Sequence, residues 1–367
     1  MKFAVLREVL MQPLQKVMGV VEKRQTMAVL NNLLFEVTSD GLTLTGSDSE
    51  VELRSKVPLN LAEPGELTVP ARKLFDLVRS LGDGTELQFS KQAERLVMKA
   101  GRSRFTLATL AAVEFPSTDV GEVIFTLSIA QKALKEVLER VAFAMAVSDV
   151  RYYLNGMLFE VRGSGLRCVA TDGHRLAIAD TQSELGGLSV ERQIILPRKG
   201  VLELQKLLEG VDEPVSLAFS RNHVRAQVGA SQFTSKLIEG KFPDYEAVIP
   251  IGAEKKAVVE REALRTALQR AAILANEKYR GVRLELVAKT LRVSAQNPEQ
   301  EEAYEELNAE TDVSGISVGF NVNYLLDAIS ALDGESLTLA LRDSNSSGLL
   351  TGGAGGRIRH VVMPLRL

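Results

Sequence analysis

Asp172 and His174, two residues apart at the end of an alternating apolar run, are the pair whose types would suit acid–base or nucleophilic chemistry. A hydrolytic relay needs a third member, a serine or cysteine on a tight elbow within reach of the imidazole. No serine stands in such a context, and residues at i and i+2 of an extended strand point the same way without forming the relay. His223 and His360 belong to no HExxH or Cys/His ligand spacing, so neither a metal nor another cofactor is expected. Cys168 is the single cysteine, lacks any activating pattern, and reads as a small core residue of a strand. Gly352-Gly353-Ala354-Gly355-Gly356 has Ile358 where a dinucleotide loop needs glycine, and no Lys-Ser/Thr follows, so it reads as a hairpin tip. The chemistry on offer is binding, and no enzyme is expected.

The elements that hold these residues repeat along the chain. Arg151-Tyr152-Tyr153-Leu154-Asn155-Gly156 leads into an apolar run, Met157 to Val161, a turn at Arg162-Gly163-Ser164-Gly165, a second run, Leu166 to Ala170, and then Thr171-Asp172-Gly173-His174-Arg175-Leu176. Strand, turn, strand is a hairpin. Leu42 and Leu291 stand in similar hairpins, and the three leucines, with Leu166, are 124 and 125 residues apart. A helix is expected before each, over 6–20, 130–144 and 261–274, the first on the stripe Leu6, Leu10, Leu14 and Val17. A second helix follows in VPARKLFDLVRSL from Val69, LPRKGVLELQKLL from Leu196 and FNVNYLLDAISAL from Phe320. Each repeat closes on a β-rich run, RFTLATL, QFTSKLI or HVVMPLRL. The expected fold is α+β: three tandem copies of one unit, two helices on antiparallel sheets, over 1–120, 121–250 and 251–367.

Over 367 residues, 45% hydrophobic and 25% charged residues make an ordinary globular composition. No apolar window is long enough to cross a membrane, Met1-Lys2-Phe3 opens no secretory signal, and cysteine is scarce, so a cytoplasmic protein is expected. A net charge of -3 excludes a surface that is basic all over but not a local basic face. Basic residues recur on the helices: Arg72, Lys73 and Arg79, then Lys132, Lys135 and Arg140, then Arg198, Lys199 and Lys206, then Arg265 and Arg270. Singly each is a solvated position, but in a symmetric assembly they would face one way.

A unit of this length makes a sphere about 35 Å across; three in a triangle leave a hole of about 5 Å, and six in a hexagon about 35 Å. Duplex DNA, roughly 20 Å wide, fits only the second. Two chains joined head to tail supply six units, and a two-fold axis closes the circle. Lys73, Arg102 and Arg104 of one chain then meet Glu299, Glu301, Glu302 and Glu305 of the other, around Phe105, Ile273 and Leu274.

Several stretches are specific: DVRYYLNGM from Asp149, ATDGHRLA from Ala170, PRKG from Pro197, FTSKL and GKFPDY between Phe233 and Tyr245, NEKYRGVRL from Asn276, NPEQEEA from Asn297, GFNVNYLLD from Gly319 and the VVMPLRL terminus. In these the chain resembles the bacterial DNA polymerase III β subunit family, the sliding clamps, over all three units. The resemblance implies a homodimeric ring around double-stranded DNA, with helices lining the hole and sheets outside, loaded at a primer–template junction by a clamp loader. It implies as partners the polymerase III α subunit, other polymerases and repair proteins, through short clamp-binding peptides. It implies a peptide cleft of Leu154, Thr171, Gly173, His174, Arg175, Leu176, Pro243, Val248, Val361, Val362, Met363, Pro364 and Arg366, edged by Asn345 and Ser347. It also implies DNA contacts at Arg24, Tyr152 and Tyr153, to which the helix residues Arg72, Arg79, Arg198 and Lys199 are added. Ala247, Leu365 and Asn345 depart from the family's pattern, where Arg, Met and an aliphatic residue occur, and bear on peptide preference; Ser148 replaces a larger polar residue near the DNA-facing loop.

Two readings of other classes stand beside this one: a repeat scaffold that binds proteins but not DNA, and a hydrolase using Asp172 and His174. Retention on nicked circular DNA, lost when the circle is cut, separates the first from a clamp, and measurable turnover the second.

Overall fold

The computed structural model describes residues 1–22, 27–163, 165–181, 192–313, 315–352 and 356–367. Its helices among those residues are α1 (Arg7–Met18), α2 (Ala71–Ser80), α3 (Gln131–Val141), α4 (Arg198–Leu207), α5 (Arg261–Ile273) and α6 (Val322–Ala331). Leu10, Leu14 and Val17 bury one face of α1, but Leu6 does not extend that stripe. It ends the strand Lys2–Leu6, whose alternation buries Phe3 and Val5 and leaves Leu6 pointing out. The helix expected over 130–144 gives over at its end to a 3-10 turn, Ala142–Ala144, and a 3-10 turn at Ala28–Asn31 precedes the strand Asn32–Thr38. Of the glycine-rich tip, residues 353–355 lie outside the described residues.

The chain forms two compact units, Met1–Lys132 with Leu202–Leu237, and Ala133–Val201 with Ile238–Leu367. Neither coincides with a sequence repeat, because the sheets run from one repeat into the next. In the first unit an eight-stranded sheet follows the order Phe125–Ala130, Pro214–Phe219, His223–Val228, Ser231–Lys236, Val51–Val57, Gly41–Ser47, Asn32–Thr38, Gly65–Pro70. Its seam pairs Leu53 with Phe233. Beside it stands a five-stranded sheet, Ala62–Glu63, Lys2–Leu6, Glu86–Gln92, Arg95–Ala100, Ser103–Ala108. Phe3, Phe35 and Phe89 join the two sheets, with Phe3 and Phe89 stacked at 4.8 Å, and burying each ring stabilises by about 1.5–3 kcal/mol. Gly46 lets α1 lie on the eight-stranded sheet, since a Cβ there would meet Val17 O at 2.7 Å.

The second unit repeats the plan. Its eight-stranded sheet follows Arg192–Pro197, Gly156–Arg162, Gly165–Thr171, Arg175–Asp180, Ile358–Val362, Gly348–Gly352, Ser336–Leu341, Lys255–Glu260, with Ala177 opposite His360 at the seam. Its four-stranded sheet is Glu302–Asn308, Thr290–Gln296, Gly281–Val287, Ile316–Asn321. At each seam the third strand of one repeat's hairpin system pairs antiparallel with the last strand of the next repeat. Two strands of those types remain outermost in their sheets among the described residues: Glu302–Asn308 and Ser103–Ala108.

Candidate functional site

The turn between the strands Gly165–Thr171 and Arg175–Asp180 is closed by side chains. Asp172 Oδ1 accepts the N–H groups of His174 (2.9 Å) and Arg175 (3.0 Å), and Thr171 Oγ1 accepts that of Gly173 (3.1 Å) while donating to Arg175 O (2.6 Å). Gly173 sits at φ +89°, where a Cβ would be strained. The Asp172 carboxylate is thus a turn cap, and the imidazole of His174 stacks instead on Tyr324 of α6, ring centroids 6.3 Å apart. Arg175 carries the site. Its Nε donates to Asp172 (3.1 Å), its Nη1 to Asp327 (2.5 Å) and its Nη2 to Phe143 O (2.8 Å), with the guanidinium between the Phe143 and Tyr324 rings at 5.2 and 4.6 Å. Burial pushes the Tyr324 phenol up from its ordinary range.

Beneath this turn lies an apolar cluster of Leu154, Leu158, Val169, Leu176, Ile178, Phe242, Tyr245 and Val361. Strand pairing sets Arg175 opposite Val362, Leu176 opposite Val361 and Gly348 opposite Val362, and Met363 N donates to His174 O (2.9 Å). Leu154, Leu176, Val361 and Val362 are core, all within 2% of full burial, so they form a floor rather than an exposed lining. Gly173, His174, Pro243, Val248 and Asn345 are exposed, and Thr171, Ser347, Met363 and Pro364 half-buried. Arg366 departs from the group and lines a separate hollow with Tyr279, Arg283 and Tyr304. The tail is led there by Leu365, whose N–H donates to Gly319 O (2.8 Å); a Cβ on Gly319 would lie 2.4 Å from Leu365 O. The roles of Tyr324, Asp327 and Phe143 escaped the sequence reading. Tyr324 and Asp327 at i and i+3 share a helix face, which is a weak signal when the partner is remote in sequence.

The loop before Gly156 is also built by one carboxylate. Asp149 accepts from Arg151 N (2.8 Å), Nε (3.0 Å) and Nη2 (2.9 Å), and Arg151 draws its carboxyl down to about 2. Tyr152 is exposed, its ring edge-on to Tyr153 at 5.8 Å, and Tyr153 packs on the apolar cluster. Arg198 is half-buried, its Nη1 donating to Met145 O (3.2 Å) and Ala142 O (3.5 Å), and Lys199 is half-buried beside it in sequence. In the first unit Arg72 and Arg79 are exposed on α2, Arg79 bonding Asp76 at 2.8 Å. Arg24 lies outside the described residues.

The two outermost strands carry opposite charge. Arg104 is exposed on Ser103–Ala108, Arg102 just before it, and Phe105 is half-buried; Lys73 is exposed on α2. Glu302 and Glu305 stand on Glu302–Asn308, with exposed Glu299 and Glu301 in the preceding turn. Ile273 is 78% exposed at the end of α5 and Leu274 half-buried. Glu305 already holds Arg270 in a bidentate pair at 2.6 and 2.7 Å, which lowers its pKa.

Among the described residues no cluster of His, Cys, Asp and Glu is arranged to hold a metal, and no helix is long and apolar enough to cross a membrane. Cys168 is fully buried and its thiol pKa is pushed far up.

Family models of the DNA polymerase III beta subunit match this chain over nearly its whole length: the N-terminal domain over 1–119, the central domain over 128–244 and the C-terminal domain over 246–366. Proteins named beta sliding clamp from Pseudomonas putida and Escherichia coli strain K12 are 50% and 46% identical, each match covering 100% of both chains. Among solved structures, a sliding clamp from Pseudomonas aeruginosa bound to griselimycin superposes with a TM-score of 0.96 at 49% identity, covering 100% of both chains. The Caulobacter crescentus polymerase III beta superposes at 0.93 with 34% identity, again covering 100% of both. With three tandem domains matched in order by that family's own models, the chain belongs to the DNA polymerase III beta subunit family, the beta sliding clamps.

Proposed function

We propose that two copies of this chain close head to tail into a ring that encircles duplex DNA and tethers a polymerase to it. The observation that carries the ring is the pair of outermost strands. Both internal seams join a third strand to a last strand, and the same rule applied once more requires Glu302–Asn308 of one copy to pair with Ser103–Ala108 of another. The register follows. Within their hairpins Leu53, Ala177 and Ala303 face the equivalent residues Gly46, Ala170 and Ala295. At the seams Leu53 meets Phe233 and Ala177 meets His360, so Ala303 meets Phe105 of the second copy. Arg104 then lies opposite Tyr304 and diagonal to Glu302 and Glu306, within reach of both.

Encirclement makes tight binding unnecessary: a few cations facing phosphate hold position without reading sequence, and the ring slides. Arg24, Arg72, Arg79, Arg198 and Lys199 are the proposed phosphate contacts, and exposed Tyr152 beside Tyr153 suits stacking on a single-stranded base at a primer–template junction. The exposed turn at Gly173 and His174, with Val248, Pro243 and Met363 over an apolar floor, is the proposed seat for the clamp-binding peptides of the α subunit, the clamp loader and repair proteins. The protein acts without catalysis, in the cytoplasm on the nucleoid, as three domains over 1–120, 121–250 and 251–367. Sedimentation and retention on DNA test the reading together. The wild type runs as a dimer and stays on a nicked circle until the circle is linearised, while Ile273→Ala with Leu274→Ala runs as a monomer and is not retained. Equal binding to circles and short linear duplex, or an unchanged dimer mass for the double variant, overturns it.

A further inference from the structure

Position 360 is occupied by a different kind of side chain from its counterparts. On the equivalent last strands of the other repeats stand Phe105 and Phe233, the latter fully buried. His360 is buried to 1%, edge-on to Phe143 at 5.1 Å. Its Nδ1 lies 3.0 Å from Ala328 O in the last turn of α6, and its Nε2 lies 3.1 Å from Arg140 O near the end of α3. Both neighbours are carbonyl oxygens, which only accept, whereas a neutral imidazole has one N–H. A second proton would satisfy both carbonyls, and would also place an unpaired charge in the core.

The charged groups on the surrounding elements do not relieve that charge. Arg140 of α3 gives its Nη1 to Ala331 O, and its charge opposes a cation on the ring. Asp327 of α6 and Asp172 are taken by Arg175, on the adjacent strand, and Asp180 of that strand by Arg167 and Arg359. Glu139 of α3 is exposed, and the strand Gly348–Gly352 bears no titratable group.

We propose that His360 is the positioning residue of the strand Ile358–Val362: its neutral ring fills the core and ties the strand through its single N–H to one of the two carbonyls, at the end of α3 or of α6, and the strand is released as the pH falls. The strand leads directly into Val362 and Met363, so its loosening loosens the wall under His174. Burial holds the ring's pKa down at about 4, against an ordinary value of 6.5. The sign follows: where the opened strand binds the proton and the closed one does not, acid favours opening, between about pH 6.5 and 4. At pH 5 the opening equilibrium rises on the order of 30-fold above its value at pH 8.

Amide hydrogen exchange of 358–362 on the full chain reads this directly, corrected for the intrinsic pH dependence of exchange, and does not depend on what the cleft binds. The wild type shows the rise, and His360→Phe, which installs the residue the chain already uses at its other seam, shows none. His360→Gln keeps a donor and an acceptor without titrating, and is likewise flat, so a folding defect in one variant leaves the other as the test. A rise of equal size in both variants, or a ring that nuclear magnetic resonance finds cationic at pH 7.5, overturns the assignment.

Discussion

Arg175 shows how much of the proposed peptide seat rests on one side chain. Its three guanidinium nitrogens and its flat π surface engage two carboxylates, a carbonyl and two rings drawn from three elements. Lysine has neither the fork nor the flat face, so Arg175→Lys is not conservative here. It loses the stacking and most of the directed bonds, and about 1–3 kcal/mol of stability in chemical denaturation, with a weaker grip on peptide in titration calorimetry. If stability and peptide affinity both match the wild type, Arg175 is not the centre of the site. His174 and Asp172, which drew attention as a chemical pair, part company in the structure because backbone donors two and three residues on capture the carboxylate first. Short polar side chains compete for local N–H groups in this way throughout, as Asp149 and Asn321 also do.

At the scale of elements, the outermost strands invite a swap of charge. Arg104→Glu places a third acid beside Glu302 and Glu306, and weakens self-association at least tenfold in sedimentation equilibrium; adding Glu302→Arg restores part of it. A double variant no better than the single would place Arg104 elsewhere than the proposed seam. Elements were also what the sequence disclosed best. All six helices among the described residues were legible, three of them because VPARKLFDLVRSL and its two counterparts repeat a 3.6-residue pattern after the same extended dipeptide. The boundaries slipped where one residue serves two patterns: Leu6 continues a helical stripe and ends an alternating strand, and the strand prevails because Phe3 and Val5 are buried. The proposed cleft was given by the sequence only as a list. Its depth was not, since burial of Leu154, Leu176, Val361 and Val362 depends on strands brought together from the middle and the end of the chain, and periodicity carries no information about them. Tyr324 and Asp327 stayed hidden for the same reason.

At the scale of the whole molecule, repetition and compactness follow different boundaries. The repeat has a period of 124 to 125 residues, yet the compact units mix one repeat with part of the next. Each eight-stranded sheet draws four strands from each of two repeats, so backbone hydrogen bonds cross the place where the sequence pattern ends.

That lacing makes the covalent thread between repeats nearly redundant. A protease cut between Ser117 and Gly121, in the segment leading to the strand Phe125–Ala130, would leave the pairing of 51–55 with 231–235 in place. The fragments should elute as one species under native conditions and part only in denaturant; separation on the column would mean the seam cannot hold without its tether. A chain stitched this firmly within itself concentrates its weakness where no peptide bond bridges one copy to the next.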